Sequence, residues 1–126
     1  MKNDAPAHPS GSFKVVTLCG STRFKPEFER INAELTLAGN VVISVGVFVH
    51  TEGPAVSEAQ KQRLDLIHLQ KIDMADEIFV VNPGGYIGES TRGEIEYATR
   101  TGVPVRYLVP PAPSGPDALT DGRLVP

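Results

Sequence analysis

The chain has 126 residues, 40% of them hydrophobic and 21% charged, which is enough for one domain with one core. A formal net charge of −3 argues against a partner with a polyphosphate backbone, because tracking one takes a clustered basic face. No apolar run approaches a membrane span, and the single cysteine, Cys19, excludes an internal disulfide, so a soluble cytoplasmic protein is expected.

Met1 to Ser12 and Pro110 to Pro126 are rich in Pro, Gly, Ser and Asp and read as disordered tails around a domain at 13–109. Within that domain, FKVVTL (Phe13 to Leu18) is a β-branched run ending at the turn-forming Cys19-Gly20-Ser21, and predicts the first strand. A helix follows from Pro26, with Phe28, Ile31, Leu35 and Ala38 on one stripe and Gly39 as its stop. VVIS (Val41 to Ser44) predicts the second strand, and Val45 to Val56 a long connection. Ser57 and Gln60 have capping-box spacing and open a second helix with Leu64, Ile67, Ile72 and Ala75 on its stripe. Glu77 to Asn82 is an almost continuous apolar run, as in a strand covered on both faces. Gly-rich PGGYIGES (Pro83 to Ser90) then leads into a third helix ending near Gly102, and Val103 to Val109 predicts a fourth strand.

Alternating β and α elements imply an α/β fold: one doubly wound, mostly parallel, Rossmann-like or flavodoxin-like sheet of four or five strands, with helices on both faces. Ligands of such sheets bind beyond the strand carboxyl ends where the winding reverses. With strand order 2-1-3-4, that crevice brings CGSTR and PGGYIGESTRGE together.

Gly84, Gly85 and Gly88 precede Ser90, Thr91 and Arg92 at a helix start. Glycines admit a ligand close to the backbone, and a helix N-terminus offers unpaired N–H groups to an anion, which together suit a phosphate. The same residues also serve simply to shape a turn and cap a helix. With Thr91 as N-cap, Glu94 takes the N3 position of a capping box, and its place beside Ile95 also turns its carboxylate towards the crevice. Glu89 is a second candidate acid, or a surface partner of Arg92.

In the first loop Gly20, Ser21, Thr22 and Arg23 either hold a phosphate or ribose edge or form a helix entry. His50 is placed to cover the crevice, and Tyr86 either stacks on a base or stands exposed. His68, on or beside the apolar stripe, reads first as a hydrogen-bonded core histidine, and Cys19 as a packed small residue. No set among Cys19, His8, His50 and His68 has zinc-ligand spacing, so neither a metal nor a cofactor is expected.

From about Val15 to Leu108, these segments resemble the nucleoside 2-deoxyribosyltransferase superfamily, in particular its small deoxynucleoside 5′-monophosphate N-glycosidase branch. The resemblance rests on CGSTR after the first strand, the passage through Ala75-Asp76 into an apolar strand, the Gly-rich loop, and Gly93-Glu94-Ile95-Glu96-Tyr97-Ala98. It implies that Glu94 is the nucleophile on the sugar C1′, that CGSTR walls the substrate pocket, and that the protein is a homodimer. The family's Asp before the third strand falls on His68, and its small residue and glycines before the Glu are Glu89-Ser90-Thr91-Arg92 here. Asn82-Pro83-Gly84-Gly85-Tyr86 also resembles the loop of cytokinin-type phosphoribohydrolases. The expected function is therefore cleavage or transfer at the N-glycosidic bond of a (deoxy)nucleoside or its 5′-monophosphate. The alternatives are a phosphoribohydrolase acting on modified purine monophosphates and a non-catalytic nucleotide-binding or sensing module.

Overall fold

The computed structural model describes residues 12–48 and 55–111. Most of both tails, together with residues 49–54 and hence His50, lie outside these described residues. The apolar and β-branched runs form β1 (Val15–Gly20), β2 (Val41–Ile43), β3 (Glu77–Val81) and β4 (Val105–Tyr107), and between them lie α1 (Lys25–Leu37), α2 (Glu58–Asp73) and α3 (Glu89–Arg100). The strands pair in parallel in the order β2-β1-β3-β4, so the expected α/β fold and 2-1-3-4 order are both found. Among the described residues no helix is long and apolar enough to cross a membrane.

Two clusters make up the core, and the pleat assigns alternate strand residues to them. Val16, Leu18, Phe79 and Val81 pack with Phe28 and Ile31 of α1. Cys19, Ile78 and Val80 pack with Ile72 of α2 and Ala98 of α3. Each completely buried strand side chain removes its apolar surface from water, at about 25 cal/mol per Å².

Several element ends differ from expectation in ways that shape the site. β1 continues to Gly20 because Cys19 and Gly20 pair with Val80 and Val81, so the strand reaches the residues expected to turn. Gly20 has φ +152°, and a Cβ there would lie 2.6 Å from the Val81 carbonyl oxygen. Close approach of β1 to β3 therefore requires this glycine, whatever a ligand does.

The capping box of α2 is present, with Ser57 accepting from Gln60 N and Gln60 accepting from Ser57 N. Its expected apolar stripe is displaced, since Ile67 is 43% exposed while His68 and Ile72 are buried. The capping box expected at Thr91 does not form. α3 begins three residues earlier than a Thr91 cap requires, with Gly88 as N-cap and no side-chain cap bond, which places Thr91 inside the first turn and buries it. Glu94 consequently lies in the second turn, beyond the unpaired N–H groups that a capping side chain serves.

Candidate active site

The end of β1, the loops after β1, β2 and β3, and the adjoining parts of α2 and α3 surround a cavity of about 350 Å³. Its first wall is the loop after β1. Ser21 caps a short 3₁₀ turn at Thr22–Phe24, and its hydroxyl accepts from Arg23 N at 3.3 Å and Arg23 Nε at 3.2 Å. The Arg23 guanidinium lies 4.7 Å from the centre of the Tyr86 ring, which also meets Phe24 edge-on at 5.8 Å. The two polar loops are thus clasped together by a cation–π contact and an aromatic edge.

The second wall is the start of α3, where Gly88, Glu89, Ser90, Thr91 and Glu94 line the cavity. With no side-chain cap on Gly88, the first-turn N–H groups remain available to a ligand. Gly20, Ser21, Thr22, Arg23, Tyr86 and His68 also line it, so most of the residues picked from the sequence meet in one place. Gly85 and Arg92 are not among the lining residues. Gly85 belongs to the 3₁₀ turn at Pro83–Gly85, where its φ of +83° explains the glycine, and the Arg92 guanidinium instead approaches the Ile87 carbonyl at 3.5 Å.

The third wall, α2, contributes Leu64, expected only as a stripe residue, and three residues that the sequence did not single out, Lys61, Asp65 and Lys71. Their signal was helical spacing from His68, since positions three and four apart share a face. Lys71 is anchored by donating from Nζ to the Ser44 carbonyl at 2.8 Å, and burial lowers its pKa. Asp65 stands one turn before His68 and has Lys61 Nζ 3.9 Å away.

At the cavity floor, Cys19 from β1, His68 from α2 and Glu94 from α3 converge. His68 Nε2 is 3.2 Å from Cys19 Sγ and 3.5 Å from Glu94 Oε1. Glu94 Oε1 is buried without a hydrogen-bond partner. Burial first, then the negative charge of Asp65, pushes the Glu94 carboxyl up to about 7, with the nearby Cys19 and Ser90 side chains opposing. Burial, and to a lesser degree the Lys71 charge, depresses His68 to about 4, against a weaker upward pull from Asp65. Burial, reinforced by Glu94, raises the Cys19 thiol well above its ordinary value. Between about pH 4 and pH 7 the three groups are therefore mostly neutral, as is expected of polar groups held away from water.

Such a grouping of shifted titratable residues in a cleft makes it a candidate functional site. Compared with known protein families, with curated proteins and with solved structures, the chain matches none. The fold and site define a parallel α/β protein with a carboxylate-floored cavity at the switch point of its sheet.

Proposed function

We propose that this cavity receives a nucleoside or its 5′-monophosphate and that Glu94 cleaves the N-glycosidic bond as a nucleophile. One observation carries the reading: a buried carboxylate oxygen without a hydrogen-bond partner on the floor of a cavity rimmed by hydroxyls, N–H groups and cations. A structural Glu at this depth is normally paired, because an unsatisfied buried acceptor costs about 1–3 kcal/mol. With no capping box at Thr91, a helix-cap role does not account for it.

In the proposed reaction an ionised Glu94 oxygen bonds to C1′ as the bond from C1′ to the base nitrogen breaks, and the electron pair leaves with the base. The departing base takes its proton from water in the cavity, because Asp65 on the wall is the negative charge that raises Glu94. Water then releases the sugar from Glu94, or a second base accepts it. Ser90 and the first-turn N–H groups of α3, with Arg23 and Lys61 nearby, suit a 5′-phosphate. Glu89, on the same turn, opposes further negative charge beyond that of a monoester and so favours it over longer phosphate chains.

The test is incubation of the purified protein with a panel of nucleosides and nucleoside 5′-monophosphates, with chromatographic detection of free base. Base release that disappears in Glu94→Gln is expected. Nucleotide binding with no base released from any substrate overturns the catalytic reading and leaves a silent binding module. Activity retained in Glu94→Gln removes this residue and moves the role to Glu89.

A further inference from the structure

We infer that Cys19, His68 and Glu94 form a binding site for a divalent ion of zinc-like softness, with an open coordination position facing the cavity. The sequence spacing conceals this site, because its donors come from three different elements. Their donor atoms all lie within 4.8 Å of one another. Zinc bonds of about 2.3 Å to sulfur and 2.0–2.2 Å to nitrogen or oxygen place tetrahedral donors about 3.4–3.6 Å apart. The Cys19–His68 separation of 3.2 Å needs a slight expansion, the His68–Glu94 separation of 3.5 Å already fits, and Cys19 and Glu94, within 4.8 Å of each other, close on the ion as it binds.

The chemistry of the donors agrees with the spacing. One thiol, one imidazole and one carboxylate select a borderline-soft ion over magnesium or calcium, which take oxygen sets. His68 directs Nε2 at both other donors, 3.2 Å from Cys19 Sγ and 3.5 Å from Glu94 Oε1. Glu94 Oε1 has no hydrogen-bond partner of its own. His68 and Glu94 line the cavity and provide the entry path, while Cys19 closes the site from beneath and is fully buried. Binding exchanges the thiol proton for the metal: Cys19–SH and M²⁺ give Cys19–S–M⁺ and H⁺, the proton passing to solvent. Any proton on Glu94 is released in the same way.

Three protein donors leave one tetrahedral position for water or a ligand atom in the cavity. The site does not depend on the glycosidase reading. It does exclude it at any one moment, since the ion occupies the lone pairs with which Glu94 attacks a sugar.

The experiment is a calorimetric titration of the metal-stripped full chain with Zn²⁺, repeated in buffers of different ionisation enthalpy, alongside Co²⁺ absorption spectra. One equivalent is expected to bind. The Co²⁺ complex should show thiolate-to-metal charge transfer in the near ultraviolet, and the wild type should release one more proton than Cys19→Ser. Cys19→Ser and His68→Gln should each weaken Zn²⁺ binding by about tenfold or more, which is about 1.4 kcal/mol. Circular dichroism establishes that both variants are folded. Zn²⁺ affinity unchanged in a folded Cys19→Ser protein, or a Co²⁺ complex lacking the thiolate band, overturns the site. Neither outcome bears on base release, which is assayed separately with chelator present.

Discussion

The two core clusters draw on the same strands but differ in what they bury. Beside α1 the cluster is hydrocarbon throughout, from Val16 and Leu18 to Phe28, Ile31, Phe79 and Val81. Beside α2 and α3, Ile72, Ile78, Val80 and Ala98 share the interior with the Cys19 thiol and the His68 ring, and the Thr17 hydroxyl bonds to the Lys71 carbonyl at 2.8 Å. Glu94 completes this polar set. A fold selected for stability alone has no use for a carboxyl whose ionisation is opposed by burial, so the polar cluster is where function is to be sought.

The sharpest way to break the comparison is Glu94→Gln, which keeps the side-chain shape and removes the nucleophile. Base release is expected to fall on the order of 10⁴-fold, about 5.5 kcal/mol in barrier, with thermal stability at neutral pH equal to or above wild type. Steady-state kinetics and a melting curve on the same preparation check this. In the wild type, kcat/KM should rise as pH passes through about 7, because the attacking carboxylate must be ionised. A fall above that pH would make Glu94 a proton donor instead.

Ile31→Ala strikes the hydrocarbon cluster and should show the opposite signature. A loss of about 2–5 kcal/mol is expected in denaturant titration, with base release per folded molecule unchanged.

A third comparison separates the polar groups from one another in metal-free protein. Glu94 titrates near 7 in the folded chain against an ordinary 4.5, so its contribution is present at low pH and is lost as pH rises through that interval. His68 titrates near 4 against an ordinary 6.5, so its contribution is present above 6.5 and is lost as pH falls towards 4. Each is on the order of 3 kcal/mol, and the two slopes oppose each other across their shared interval. Wild-type stability should therefore be nearly flat from about pH 4.5 to 6.5. Glu94→Gln should rise across that range and His68→Gln should fall. Asp65 on α2 acts on both midpoints, and Lys71 on that of His68.

The smallest effect concerns the phosphate. Ser90→Ala should weaken nucleoside monophosphates about tenfold more than nucleosides, a difference of about 1.4 kcal/mol. Arg92→Ala, with its guanidinium turned to the Ile87 carbonyl, should leave that ratio unchanged. Competitive binding assays with both ligand classes measure it.

Much of this architecture was legible in the sequence because it depends on local pattern. The β-branched runs of β1 and β3, the Ser57–Gln60 capping box and the alternation of elements are short-range facts, and a parallel sheet with the 2-1-3-4 winding follows from them. Glycine-rich and hydroxyl-rich segments after β1 and β3 had to meet at the switch point, and they do. Where α3 begins was less legible, since Ser90, Thr91 and Gly88 all suit an N-cap, and only packing of Thr91 into the interior decides for Gly88.

Tertiary structure alone decided the cavity floor. Cys19 and His68 are 49 positions apart, and no periodicity links β1 to α2 to α3. The sequence pointed to the wrong face of α2, the stripe Leu64, Ile67, Ile72 and Ala75, because Leu66 and Leu69 make overlapping apolar stripes. The sheet selects the one carrying His68 and Ile72, leaving Leu66 and Ile67 exposed and setting Asp65 on the cavity wall. Local sequence determines which residues can form an element, whereas the choice among nearly equivalent faces is made by the surface each element must cover.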